Sequence, residues 1–262
     1  MGDQVILEGH ISVSAALRSG NRPIRVIYIQ RNAADEALQQ IGPLARTAGV
    51  KIQLVDSELI ETYASGRSHG GIIALAGPRK FLALEDLPLK QPAPLVVMVD
   101  GVEDPFNFGA AIRSLYAAGA DGLVVRPRNW TSVAGIVARA SAGASELIPI
   151  ALARAPHEAA SFFRQRGLRI ACATHQKHAA SIYTTDLSVP LFLLIGGEKR
   201  GITRSFVESA DLHLSIPYRR ADAHALSAAS ATAIIAFEIM RQRGVRNGKD
   251  AGVRENAGHD GL

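Results

Sequence analysis

The chain reads as an α/β protein in which a parallel sheet covered by helices on both faces follows a smaller α/β unit. Three features predict this. Short apolar runs, "LVVMVDG", "GLVVR", "LRIACAT", "LFLLIGG" and "DLHLSIP", recur between residues 95 and 217 with helical stretches between them. These runs are apolar almost throughout rather than alternating, the pattern of strands buried on both faces. The 262 residues are 47% hydrophobic and 20% charged, which supplies core enough for one large domain or two modest ones.

In chain order, "EGHISVSAALRSG" predicts a helix with Val13, Ala16 and Leu17 facing inward and Gly20 ending it. "RVIYI", "VKIQLV" and "GIIALA" read as strands of a small three-layer domain, residues 1–78. Between the first two, "AADEALQQIGPLARTAG" has helical spacing, interrupted by Pro43 and stopped by Gly49. "FLALEDLPLKQPAP", with three prolines and mixed charge, reads as an exposed connector, and places a linker at 79–94. Beyond it, in residues 95–243, strands including "ELIPI" alternate with helices that begin near Asn107, Thr131 and Pro156. A last long helix, "ALSAASATAIIAFEIMRQR", is rich in Ala and Ser, so another backbone or a ligand can approach it closely. The polar, Gly-rich stretch 244–262 reads as a disordered tail, and no internal repeat is visible.

Several function classes fall away. "GGEKRG" follows an apolar strand but has neither the G-x-G-x-x-G spacing of a dinucleotide turn nor the G-K-[ST] ending of a phosphate loop. No G-x-S-x-G nucleophile elbow occurs. His175 and His178 in "HQKH" have no acidic ligand nearby in sequence, so the stretch reads as an exposed loop and no metal is expected. Cys172 is single, within an apolar run, and reads as a core residue. No run of eighteen apolar residues and no secretory pattern appear, so a cytoplasmic protein without a membrane span is expected. The net charge of +5 suits a polyanionic partner without requiring one. Arg126 and Arg128, Lys199 and Arg200, and Arg219 and Arg220 each follow a strand. They form one basic patch if their loops meet, and separate solvated charges if they do not.

Three stretches together carry a family resemblance. "DPFNFGAAIRS" resembles the first motif of the SpoU/TrmH family of RNA ribose 2′-O-methyltransferases, Pro-x-Asn-x-Gly-Ala-x-x-Arg, and "RASAGASELIPI" the Ser-x-Gly-Ala stretch that follows it. "LLIGGEKRGI" is similar to the second motif, Gly-x-Glu-x-x-Gly, and "DLHLSIPYRRADAHALSAASATAIIAFEIMRQR" aligns with the third. "LEGHISVSAAL" and "HGGIIA" look like the family's amino-terminal RNA-recognition domain, and the likeness is greatest to the bacterial 23S rRNA guanosine 2′-O-methyltransferase branch.

The resemblance implies a SPOUT trefoil-knot domain over 95–243, preceded by a ribosomal-protein-like RNA substrate-binding domain. It further implies S-adenosylmethionine as cofactor, pairing of knot domains as a homodimer, and a structured RNA substrate, rRNA first and tRNA second. Catalysis would centre on Arg113, Asn107 and Glu198. Methyl transfer to a ribose hydroxyl builds negative charge on the attacking oxygen, and the guanidinium of Arg113 can hold the adjacent phosphate and favour the alkoxide. Literal proton removal by an arginine is disfavoured, because its pKa lies above about 12. Asn107 would bond that arginine or the RNA backbone, and Glu198 would orient the arginine or a substrate group. Read alone, Asn107 is a helix N-cap, Arg113 a surface residue and Glu198 a loop carboxylate. Thr174, Gly196, Gly197, Gly201, Ile216, Pro217, Tyr218 and Leu226 would bind the cofactor. Arg126, Arg128, Lys199, Arg200 and Ser227 would meet the substrate, and His69 stays outside the core set because the family's His-Gln-Gly is His-Gly-Gly here.

The third motif departs from the family pattern. The usual Ser-Leu-Asn-x-Ser becomes Ala225-Leu226-Ser227-Ala228-Ala229, and the Met after Ile-Pro is Tyr218. Each hydrogen bond lost there costs about 1–3 kcal/mol, or one to two decades in rate. Two readings therefore stand: an active methyltransferase, or an RNA-binding paralogue that keeps the fold without catalysis.

Overall fold

The structure, a computed structural model, describes residues 4–66, 68–127, 132–176, 178–220 and 225–246. The first sheet comes from β1 (Val5–Glu8), β2 (Ile24–Gln30), β3 (Ile52–Val55) and β4 (Ile72–Ala76), with α1 (Gly9–Ser19), α2 (Ala34–Thr47) and α3 (Ser57–Tyr63) between them. Its order is β1-β4-β2-β3, and only β2 and β3 run parallel. Helix α1 ends as expected: Gly20 takes a left-handed conformation, φ 62°, and its N–H donates to Ala16 O.

Two local expectations for this unit need correction. Pro43 does not interrupt α2, because it sits on the exposed side while Ala37, Ile41 and Ala45 hold the opposite side in the core. A proline inside a helix removes one donor and crowds one carbonyl, and here that disturbance faces water. The residues before α1 form β1, paired along its length with β4. Four residues are too few for a periodicity to show, and of β1 only Glu8 fell within the expected helix.

The second sheet is built from β5 (Leu95–Asp100), β6 (Gly122–Val125), β7 (Ile150–Leu152), β8 (Arg169–Ala173), β9 (Ala180–Ser181), β10 (Leu191–Gly196) and β11 (Leu212–Ser215). Its order is β7-β6-β5-β10-β8-β11-β9 and every pairing is parallel. The intervening helices are α4 (Pro105–Ala117), α5 (Ala134–Ala140), α6 (Ala144–Leu147), α7 (Pro156–Gln165), α8 (Arg204–Ser209) and α9 (Ala228–Arg246). Alternate residues of β5 explain the continuous apolar pattern. Leu95, Val97 and Val99 pack with Ile112 and Leu115 of α4 and Ile235 and Ile239 of α9. Val96 and Met98 point to the other face, with Phe163 of α7, Phe206 of α8 and Cys172.

"ELIPI" is not a strand. Residues through Leu147 belong to α6 and the strand begins at Ile150, after Pro149, which has no N–H to give a ladder. The connector is less exposed than its prolines suggest. Leu84 and Leu87 are buried in the second core, and Leu82 bridges Ala151 at the sheet edge. Helix α9 continues past the expected end at 243 to Arg246, and the rest of the expected tail, 247–262, lies outside the described residues. No described helix is long and apolar enough to cross a membrane.

Candidate active site

The site forms where loops leave the carboxyl ends of neighbouring parallel strands, the usual place for ligands in an open α/β sheet. After β5 the chain turns into α4, and Asp104 is the N-cap: its carboxylate accepts from the N–H groups of Phe106 at 3.3 Å and Asn107 at 3.1 Å, with Pro105 at the first helical position. Asn107 is therefore not the cap, and its side chain is free for another task. Its Nδ2 donates to Glu198 Oε1 at 3.4 Å. The same oxygen accepts from the Ala228 N–H at 2.9 Å, at the first residue of α9. One carboxylate thus joins the α4 entrance, the loop after β10 and the amino end of α9, where a negative charge also favours the helix dipole.

Glycine at 197 is a requirement of this junction. The Gly197 N–H donates to Asp100 O at 2.7 Å, and a Cβ on Gly197 would overlap the Gly101 carbonyl. Any side chain would force the two loops apart and carry Glu198 away from Asn107.

Behind Glu198 lies a cavity of about 180 Å³. All the residues expected to bind cofactor except Pro217 line it: Thr174 from the end of β8, Gly196, Gly197 and Gly201 from the loop after β10, Ile216 and Tyr218 after β11, and Leu226 before α9. Sequence reasoning missed the apolar walls added by Ile195, Ile202, Leu214 and Ile235. It also missed His175, whose ring lies 5.4 Å from that of Tyr218 at the mouth, and which had been set aside as loop. The Tyr218 hydroxyl accepts from the Leu226 N–H at 3.0 Å, pinning the chain before α9 across the mouth. The chemistry of this lining fits S-adenosylmethionine. Apolar walls suit an adenine, while the Thr174 hydroxyl and Glu198 carboxylate suit the ribose and the cationic groups.

Arg113 stands apart from this junction. It is exposed and has no hydrogen bond or ion pair among the described residues. Six residues at about 100° each turn it roughly 120° around α4 from Asn107, so Glu198 holds Asn107 and not the arginine. Two of the expected substrate cations are already paired. Arg126 grips Asp100 through Nε at 2.7 Å and Nη2 at 2.8 Å. Lys199 Nζ donates to Glu103 Oε2 at 2.6 Å, which holds the Glu103 carboxyl below the usual carboxylate range and raises the ammonium pKa. Arg200, Arg219 and Arg220 have no ion pair among the described residues, and Arg128 lies outside them. The basic loops are therefore interleaved with acids rather than uniformly positive. Ser227 is a helix cap: its Oγ accepts from the Ser230 N–H at 3.2 Å and lies 3.1 Å from that residue's hydroxyl. His69 Nδ1 accepts from the Gly71 N–H at 3.0 Å, shaping its own loop. Among the described residues no cluster of His, Cys, Asp or Glu could hold a metal.

Comparison with known proteins matches residues 94–237 to the SpoU rRNA methylase family and residues 6–82 to the RNA 2′-O ribose methyltransferase substrate-binding family. The chain is 30% identical to the 23S rRNA (guanosine-2′-O-)-methyltransferase RlmB of Shewanella oneidensis, over 93% of this chain and 99% of that protein. Against the protein of the same name from Ralstonia nicotianae the identity is 31%, over 94% and 98%. Among solved structures, the AdoMet-bound rRNA methyltransferase of Sinorhizobium meliloti superposes with a TM-score of 0.73 at 26% identity, covering 91% of this chain and 87% of that one.

Proposed function

The chain belongs to the SpoU rRNA methylase family, and from that premise we propose that it transfers a methyl group from S-adenosylmethionine to a ribose 2′-hydroxyl of rRNA. The observation that carries the reading is the Glu198 junction, which sets the family's first-motif asparagine and the start of α9 around one carboxylate at the mouth of the cavity. When bound, the cofactor supplies an electrophilic methyl on a sulfonium. The protein's part is to position and charge the acceptor. Arg113, exposed and uncommitted, clamps the phosphate beside the target ribose and stabilises charge developing on O2′ while the hydroxyl proton passes to that phosphate and on to solvent. Asn107, fixed by Glu198, presents its remaining polar groups to the backbone of the same nucleotide. Arg200 and the loop after β10 meet flanking phosphates. Lys199 and Arg126 join them once RNA displaces their acidic partners, Glu103 and Asp100.

The proposal extends to the organisation of the chain. Residues 1–78 act as the RNA substrate-binding domain, 79–94 as the linker and 95–243 as the methyltransferase domain. That last domain is threaded as a trefoil knot, a reading that rests on the match of residues 94–237 to the SpoU rRNA methylase family. It pairs with a second copy, supported by the exposed apolar side chains of Phe106 and Tyr116 on α4 and of Phe237 and Met240 on the adjoining α9. Such an enzyme meets its rRNA in the cytoplasm.

The alternative, an RNA binder without catalysis, draws on Ala225 and Ala229 and on the use of Ser227 as a cap. One experiment separates the two. The protein and its Arg113→Ala variant are incubated with tritiated S-adenosylmethionine and undermethylated rRNA and tRNA, and labelled ribose is mapped. Label from the wild type alone supports the enzyme. Cofactor binding by calorimetry without transfer from either supports the binder.

A further inference from the structure

The two sheets do not hang from a loose connector; a dense polar seam locks them together. Arg22, between α1 and β2, sends Nε to Glu146 Oε2 at 2.7 Å and Nη2 to Oε1 at 2.9 Å. Both side chains are almost wholly buried, 3% and 1% exposed. Asn21 Nδ2 donates to Glu146 O at 3.0 Å, and Arg79 donates to the carbonyls of Ser145 and Ile148. At the other end, buried Glu8 accepts from Arg139 Nη1 of α5 at 2.6 Å. It accepts as well from the N–H and hydroxyl of Ser65, at 2.9 and 2.6 Å. Backbones touch between these clusters: a Cβ on Gly135 of α5 would overlap the Ile6 carbonyl, and Ala138 of α5 belongs to the core of the first sheet.

Glu8 connects this seam to a surface. Ser65 opens the loop before β4, where Ser65, Gly66, Ser68 and Gly70 are exposed; it carries half-buried His69, and the Ser68 and His69 carbonyls lie against Gly9 at the start of α1. Arg139 is on the helix that packs against α4, the carrier of Arg113. The loop and the arginine are thus mounted on opposite sides of one buried contact set. Resting on the reading of residues 1–78 as the substrate-binding domain, we propose that the seam fixes the separation between this loop and Arg113 and thereby sets substrate specificity. The RNA selected is a folded one that presents a second element to the loop at that separation from the target ribose. A short single strand offers the ribose without the second element and gains nothing from the seam. Arg22, Glu146, Glu8, Arg139 and Gly135 are positioning residues in this account.

Gly135→Ala tests it, because alanine favours α5 locally yet places a methyl where the Ile6 carbonyl sits. Small-angle scattering, S-adenosylmethionine calorimetry, anisotropy with folded 23S rRNA and tritium transfer are read together. Transfer is compared on that rRNA and on a short oligonucleotide carrying the mapped nucleotide. The expected variant has a larger radius of gyration, a cofactor affinity within about twofold of wild type, and kcat/KM on folded rRNA lower by about a hundredfold, the cost of a misplaced reactant. Its activity on the oligonucleotide stays unchanged. Equal losses on both RNAs, or an expanded variant with undiminished activity on folded rRNA, overturn the proposal. So does a wild type whose scattering already requires independently moving domains. If the wild type transfers no label, the functional reading fails by itself, and the seam is then judged by anisotropy, where it requires weaker binding of folded rRNA by the expanded variant. Arg139→Met, at the half-exposed rim of the seam, repeats the test should Gly135→Ala not fold.

Discussion

Glu146→Leu is the most informative single change to stability. Glu146 faces two buried guanidiniums: it is bidentate to Arg22, and its charge opposes the burial that pushes Arg79 down to about 10. At neutral pH Arg79 remains protonated. Among the described residues, removing the carboxylate leaves Arg22 with the Gly77 carbonyl alone, at 3.1 Å, and leaves two like charges facing each other out of water. Breaking one partner of a buried pair costs about 3–5 kcal/mol, and the second arginine places this case at the upper end of that range. Since domains are stable by only about 5–15 kcal/mol, the loss should appear as a large fall in the urea midpoint, or as a separate early transition when the seam opens first. Arg22→Met combined with Glu146→Leu should recover most of the loss, since apolar replacement of a whole buried pair is often neutral. The double-mutant cycle should therefore return a coupling of at least about 3 kcal/mol. A single variant destabilised by less than about 1 kcal/mol, or a double variant as unstable as the single one, would refute the assignment of this pair as the lock between the sheets.

Arg113→Lys keeps a positive charge but loses the planar fork, so methyl transfer in the tritium assay should fall about tenfold to a hundredfold, with the melting temperature unchanged because the side chain is exposed and unpaired among the described residues. Tyr218→Phe removes the acceptor for the Leu226 N–H, a bond worth about 1 kcal/mol. Steady-state kinetics should show KM for S-adenosylmethionine raised about fivefold with kcat little changed. Burial raises the Cys172 thiol from its ordinary 9.0 to about 11. The unfolded chain therefore loses this proton first, the stability it contributes is present in full below about pH 9, and it is lost as pH rises toward 11. Urea titrations at pH 8 and pH 10 should show the wild type losing stability relative to Cys172→Ala.

What could be read from the sequence, and what could not, follows the range of each interaction. The seven-stranded sheet is visible in local runs because both faces of β5 and β10 are buried, and no alternation is left to mistake for anything else. Gly20 acts on its own helix, so its meaning lies within a few residues; Asn107 read alone is a cap, but Asp104, three positions earlier, takes that place. Arg22 and Glu146 are 124 positions apart, and nothing near either one announces a buried charge. The acidic partners of the loop cations were hidden for a related reason: Arg126 and Lys199 were read for their own charge, while Asp100 and Glu103, which pair with them, sit on a neighbouring strand end and its loop. The third motif bears on function most directly. Its lost polar residues look damaging on a linear alignment, yet in space Glu198 already accepts the first N–H of α9, Ser227 caps that same first turn and Tyr218 holds Leu226. The substitutions therefore leave the frame around the cavity intact. Under the proposed function, what they remove is polar contact with the ligands, a loss expected to lower a rate while leaving Asn107 held by Glu198.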